Sequence, residues 1–278
     1  MRTFIDCFKT SKTAFGLLNA ALLAFGCSTP FWAQERVVSL AVDDPRPVAQ
    51  AMLTLESLYG WAISYEDPRY GHADDLRDVT WQVRRDLANF PIGQAPRVLV
   101  PRGGSMTVGY SVSAETGVPE RAVDAIQKVL DARVQGSSAS FRLLQSGENF
   151  HVVPAARNNT SGILEPQTSI LDAPITLPDQ ERDGVEMLEA ICKAVGDAAH
   201  TRVSVGTIPE NLFRGNRSTQ SVFNTTARDV LTQTLAATET KLSWRLLYDP
   251  GLGEYFLNIH SVLLAQQLAA DLQQQSGK

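Results

Sequence analysis

The clearest pattern of secondary structure lies at residues 37–65, VVSLAVDDPRPVAQAMLTLESLYGWAISY. The apolar run at 37–42 predicts a strand, and the acidic pair and proline after it are typical of a helix start. Apolar side chains then recur at helical spacing and are expected to form one buried stripe: Val48, Met52, Leu55 and Leu58. Gly60 is placed to end this helix, and the alternation at 61–65 predicts a second strand. The stretch is therefore a strand–helix–strand unit.

Similar patterns outside this stretch predict the order strand, helix, strand, strand, helix, hairpin twice over. The predicted fold class is α+β, with two small βαββαββ-type modules, each a sheet with two helices on one face. The predicted boundaries are a leader at 1–33, a first module at 37–154 with an irregular insert at 69–104, a linker at 155–168, a second module at 169–262, and a C-terminal helix or tail at 263–278.

The first half resembles a known family of small domains. The strand at 39–42, the helix start at 44–52 and the strand at 63–65 are similar to the short N-terminal domain of secretins and TonB-dependent receptors. The second half resembles the same domain through residues 226–231 and 242–259. The resemblance implies a periplasmic interaction module, and it does not imply a receptor or a channel. The long insert departs from the family's short domains.

The N-terminal segment predicts export. Three basic residues accompany an apolar run at 13–26, which is shorter than the roughly 20 residues that span a bilayer. Residues 23–27 resemble a lipobox that would lipidate Cys27, and the alternatives are cleavage after Ala33 or an anchor that is never cut. Each alternative places the remaining chain outside the cytoplasm, as a periplasmic or envelope-tethered protein of bacterial type. The Asn-Xaa-Ser/Thr triplets at Asn158, Asn216 and Asn224 keep a eukaryotic secretory route open. Membrane contact is expected only through this segment.

Charge and cysteine content narrow the partners further. The formal net charge is -5, so nucleic acid and anionic lipid headgroups are not expected partners. Cys192 is the one cysteine beyond the leader, so the body of the chain has no pair for an internal disulfide. Its place on the apolar side of a predicted helix favours a buried side chain over a nucleophile.

The sequence holds no motif that predicts catalysis, a metal or a cofactor. The four histidines are scattered, and each is expected on the surface or in a hairpin. Neighbouring carboxylates such as Glu66 and Asp67 are expected to cap a helix or lie in a turn. A phosphate-binding glycine motif and a complete Gly-Xaa-Ser-Xaa-Gly elbow are both missing. We therefore expect no cofactor and no enzymatic activity.

The insert supplies the candidate contact residues for a ligand or partner, because long irregular loops in small domains often carry function. It combines aromatic side chains with positive charge: Trp81, Arg84, Arg85, Phe90, Arg97 and Arg102. Two functions remain open. The first is a non-enzymatic envelope protein that binds another envelope protein, or its own copies, by pairing of sheet edges. The alternative is an exported hydrolase-like enzyme with acidic residues in an interdomain cleft.

Overall fold

The computed structural model describes residues 35–91, 93–132, 139–215 and 217–264. The predicted leader with Cys27 and the predicted tail from residue 265 onward lie outside the described residues. The chain divides into two units, Met1–Ala33 and Gln34–Lys278. All the described helices and strands belong to the second unit.

The first half of this unit opens with the predicted strand–helix–strand arrangement. Pro47 stands in the first turn of the helix, where its missing amide costs no hydrogen bond, and Gly60 ends the helix with a φ of 67°. The elements are β1 (Glu35–Asp44), α1 (Pro47–Tyr59), β2 (Ala62–Glu66), β3 (Leu76–Asp78), α2 (Thr80–Val83), β4 (Leu99–Pro101), β5 (Gly104–Ser113), α3 (Ala122–Asp131), β6 (Ser140–Ser146) and β7 (Asn149–Asn158).

After a short extra strand, the second half repeats the order β1-α1-β2-β5-α3-β6-β7 without the elements of the insert. Its first helix starts with a capping box between Asp183 and Glu186, and it ends at His200, which takes the left-handed conformation with a φ of 49°. The elements are β8 (Leu164–Pro166), β9 (Pro174–Arg182), α4 (Gly184–Ala199), β10 (Arg202–Val205), β11 (Ser218–Thr226), α5 (Ala227–Ala236), β12 (Leu242–Asp249) and β13 (Glu254–Ser261).

Strands from both halves form one seven-stranded sheet in the order β10-β13-β12-β2-β7-β6, with β8 paired to the end of β7. The halves join where β12 runs parallel to β2, with Arg245 opposite Tyr65 and Leu246 opposite Glu66. The α+β class is confirmed. The sheets of the two halves are not separate, however, because all five residues of β2 are buried and the pairing with β12 satisfies backbone groups at its edge.

Each half also has a two-stranded antiparallel ribbon, β1 with β5 and β9 with β11. The buried apolar side chains form two clusters, and each cluster draws on a ribbon, two helices and part of the sheet. Leu246 belongs to the second-half cluster, whereas its neighbour Leu247 packs against the first-half cluster. Since successive strand residues point to opposite faces, the helices of the two halves cover opposite faces of the sheet.

The insert and the predicted linker are partly ordered into strands. Within 69–104, β3 and β4 form a small antiparallel pair with the single-turn helix α2 between them. Within 155–168, β8 pairs with Ala156, Arg157 and Asn158 of β7. Among the helices of the described residues, none has the length and apolar character that a membrane crossing requires.

Candidate interaction site

Several of the predicted contact residues of the insert bind other residues of the same insert. Arg84 binds both carboxylate oxygens of Asp86, at 2.9 and 2.7 Å, and lies 4.8 Å from the centre of the Phe90 ring. Its charge is thus used inside the insert. Trp81 lies on α2 and is 85% exposed, and Arg85 is exposed as well. These four side chains combine one local ion pair with one bare aromatic ring.

The two remaining arginines lie farther along the insert. Arg97 Nε is 4.0 Å from a carboxylate oxygen of Asp78, with both side chains largely in solvent. Arg102 donates to the carbonyl oxygen of Leu76 at 3.3 Å and holds the strand pair β3–β4 from its end. Both contacts are local to the insert and stabilise it.

Asp67 fastens the two halves together at the centre of the sheet. Its side chain is 0% exposed and accepts hydrogen bonds from Arg46 Nε at 2.6 Å, the Tyr65 hydroxyl at 2.9 Å and the Tyr248 amide at 2.9 Å. Arg46 also donates to the carbonyl of Tyr248 at 2.8 Å. Asp67 was expected in a turn or as a cap, which is wrong, because a strand from the other half covers it.

A second buried network lies on the neighbouring strand position. Glu66 accepts hydrogen bonds from the Ser169 hydroxyl and, at 2.9 Å, from the Ile170 amide. Arg228 of α5 donates to Ser169 and to Asp172, at 2.8 Å in the latter case. Burial raises the pKa of Glu66 to about 7, against the opposing effects of the Ser169 hydrogen bond and the Arg228 charge. Glu66 also was expected in a turn or a cap; it is instead fully buried.

Ser64 and His151 form a hydrogen-bonded pair that has the composition of a catalytic dyad. Ser64 Oγ lies 2.6 Å from His151 Nδ1, and the imidazole lies against the Trp244 ring with 5.0 Å between centroids. The two residues are only 3% and 2% exposed, so a substrate has no access to them. Burial lowers the pKa of His151 to about 4, which keeps it neutral. His151 lies in an arm of the β6–β7 hairpin, one of the two positions expected for it, but it is buried and not on the surface, and the pair serves packing.

The outer edge of β10 is open along the described residues, where β10 pairs only with β13. The Gly206 amide donates to Leu257 of β13 at 2.8 Å. Because backbone groups alternate in a parallel ladder, Val203 and Val205 direct theirs away from β13. A groove of about 490 Å³ follows this edge, with α4 as its wall; its lining is Glu189, Cys192, Lys193, Gly196, Asp197 and residues 201–205.

The corresponding edge in the first half, that of β2, is occupied by β12. Both edges follow a helix that ends in a left-handed residue, and both strands pair in parallel with the last strand of a hairpin, Ala62 with Asn149 and Arg202 with Glu254. On β2, the Asp67 amide donates to the carbonyl of Leu246 at 2.8 Å. A strand therefore docks beside α1 at the position that stays open beside α4.

One side chain distinguishes the occupied edge from the open one. Glu56 of α1 accepts a hydrogen bond from the Ile63 amide at 2.9 Å and also contacts His260 at 2.9 Å. Four residues before the end of α4, the equivalent place holds Gly196, where a Cβ would lie 2.8 Å from the Thr201 carbonyl oxygen. The open edge thus has no counterpart of the Glu56 carboxylate, and Gly196 leaves the groove wall low.

In the part of the chain that the structure describes, no group of three or more His, Cys, Asp or Glu side chains is arranged to hold a metal ion. Comparison with protein families, with curated proteins and with solved structures found no match to this chain. The open edge of β10 is therefore the feature of the described residues that bears most directly on function.

Proposed function

We propose that this chain is a non-enzymatic interaction protein whose open β10 edge accepts an extended segment of a partner. The observation that carries the proposal is the groove of about 490 Å³ between that edge and α4. Addition of a strand to an exposed sheet edge gives affinity through backbone hydrogen bonds, and the groove supplies side-chain contacts. Because β10 has four residues, the bound segment would be short.

The pairing of β12 with β2 within the chain supports this mode of binding. There, two pairs of residues are in register, and Arg46, just before α1, and Asp67, just after β2, both bind the backbone of Tyr248 in the added strand. At β10, α4 contributes polar side chains of both signs, and Lys193 and Asp197 already pair at 2.8 Å. A partner segment with alternating apolar and polar residues fits such a wall better than a highly charged one.

The cell envelope is the proposed location. This part of the proposal rests on the leader-like residues 1–33 and on the resemblance to the short N-terminal domains of secretins and TonB-dependent receptors, with one such module in each half. Lipidation of Cys27 would tether the protein to a membrane. Mass determination of the N-terminus of protein from bacterial envelopes checks this point, because a diacylglyceryl mass on Cys27 appears only if the lipobox is used.

The exposed ring of Trp81 is a second contact in this proposal. The Trp81 ring is 85% exposed on α2, so the insert does not cover it. Its contribution is separable from that of the groove, because alanine at Trp81 leaves β10 unchanged.

Selection of peptides that bind the protein tests the proposed edge. A library of random eight-residue peptides is screened against the full chain and against Val205→Pro, which removes an amide that faces away from β13. We expect selected peptides to bind the unchanged chain and to bind the variant about fivefold or more weakly, as for loss of one hydrogen bond. Equal affinity for both proteins, with an unchanged melting temperature, would refute the assignment.

A further inference from the structure

The strand that fills the β2 edge has a near copy elsewhere in the chain. Residues 243–247 of β12 read Ser-Trp-Arg-Leu-Leu, and residues 140–144 of β6 read Ser-Phe-Arg-Leu-Leu. Both strands are the first arm of a hairpin, with Arg142 opposite Val153 and Arg245 opposite Asn258. The two strands therefore hold the same place in the two halves, and β12 shows what this sequence does at a sheet edge.

The outer edge of β6 is the far edge of the seven-stranded sheet, since β6 pairs only with β7 within the described ranges. Leu144 is half-buried and belongs to neither apolar cluster of the described residues, whereas its counterpart Leu247 packs against the neighbouring half. Thus one end of the sheet is β6, the counterpart of the strand that pairs with β2, and the other end is β10, whose outer edge is unpaired in the described residues.

We propose that the protein assembles head to tail, with β6 of one copy added in parallel to β10 of the next. This inference rests on the proposed function of the β10 edge and names its partner as a second copy of the chain. By equivalence with Arg245 opposite Tyr65 and Leu246 opposite Glu66, the register places Arg142 opposite Val205 of the next copy and Leu143 opposite its Gly206.

The contact joins two different edges, so it is heterologous and repeats into a ring or a filament. The acceptor side offers Glu189 and Asp197 to the guanidinium of Arg142, which in the single chain contacts Asp172 at 3.1 Å; it also carries Lys193 and Arg202. Where β2 has Asp67 to clamp the added strand, the β10 edge has Thr207, whose amide already binds Asn258 at 2.9 Å. Assembly is therefore weaker than the internal junction and depends on concentration.

Disulfide trapping between two variants tests the register directly. In the full chain with Cys7, Cys27 and Cys192 replaced by serine or alanine, one preparation carries Arg142→Cys and the other Val205→Cys. We expect a disulfide-linked dimer when the two are mixed under mild oxidation, and monomers when either is oxidised alone, because a head-to-tail contact never brings two copies of one position together. A mixture that cross-links no more than the separate variants would overturn the proposal.

Sedimentation velocity over a range of concentrations provides the second readout. The unchanged chain should sediment faster as its concentration rises, and Val205→Pro should need about fivefold or more protein for the same shift. A chain that stays monomeric throughout, while selected peptides still bind β10, overturns self-assembly and leaves the edge as a site for other proteins. If peptides fail as well, both proposals fall. Deletion of residues 265–278 is a further check. If it raised the affinity of assembly strongly, the groove of the intact chain would be assigned to its own tail, which would contradict the proposal.

Discussion

Removal of the Asp67 carboxylate should destabilise the whole unit from Gln34 onward, because this side chain joins β2 to β12. In Asp67→Ala, the Tyr248 amide and the Tyr65 hydroxyl lose their acceptor, and each buried unsatisfied group costs about 1–3 kcal/mol. Arg46 loses its buried partner but keeps the Tyr248 carbonyl and is 21% exposed, so its share is small. We expect a total loss of about 2–6 kcal/mol from the two unsatisfied groups.

Urea unfolding followed by near-ultraviolet circular dichroism measures this loss. The matched control is Asp86→Ala, which breaks the bidentate pair with Arg84 on the surface of the insert and should change the free energy of unfolding far less. Asp67→Asn, which keeps the shape and one acceptor oxygen, should fall between the two. If Asp67→Ala were as stable as Asp86→Ala, the buried network would not be what holds the two halves in one sheet.

The remaining predictions concern pH and packing. Because burial raises the pKa of Glu66 to about 7, its contribution to stability is present below about pH 4.5 and is lost as the pH rises through 7. Burial lowers the pKa of His151 to about 4, so its contribution to stability is present above about pH 6.5 and is lost as the pH falls through 4. In Glu66→Gln, urea unfolding at several pH values should therefore show stability that rises with pH more steeply than in the unchanged chain, and a parallel curve would contradict the assignment. Trp244 is 4% exposed, so Trp244→Ala should lower the free energy of unfolding by about 3–5 kcal/mol, as measured by thermal and urea unfolding. The exposed Trp81 is the control, and Trp81→Ala should lower it by less than about 0.5 kcal/mol. Similar losses for the two variants would be inconsistent with their burial.

Local periodicity predicts the individual elements of this chain well. Three of the four residues of the predicted α1 stripe are buried and its end at Gly60 is confirmed, but Leu58 is 50% exposed. The alternation over β5 is confirmed, because Met106, Val108 and Tyr110 are buried in turn. These features depend on residues close in sequence, so the pattern of side chains is enough to place them.

The joining of the sheets was not predictable by the same means. It depends on contacts between residues about 180 apart, such as Asp67 with Tyr248, and on two pairs of residues in register between β2 and β12. A carboxylate pair reads as solvent-exposed unless its partners are known. The sequence does contain one usable signal, the repeat of Ser-aromatic-Arg-Leu-Leu at 140–144 and 243–247, which aligns the two halves.

The insert was singled out for its composition, but the partners of its arginines were not predictable from that composition. Arg84 satisfies its charge on Asp86, two residues away, and Arg102 on a backbone carbonyl of the same loop. The open edge of β10, in contrast, is a property of strand order, which is not visible in the composition of its four residues Arg202–Val205.

Amide hydrogen exchange at β10 shows directly whether this edge is open and accepts an added strand. In dilute protein, the amide of Val205 should exchange rapidly, while that of Ser204, which faces β13, should be protected. Addition of a selected peptide, or of the seven-residue peptide of β6, should then slow exchange at Val205 and leave Ser204 unchanged. Strong protection of Val205 in the dilute chain without any added strand would show that the edge is already covered, and would contradict the account.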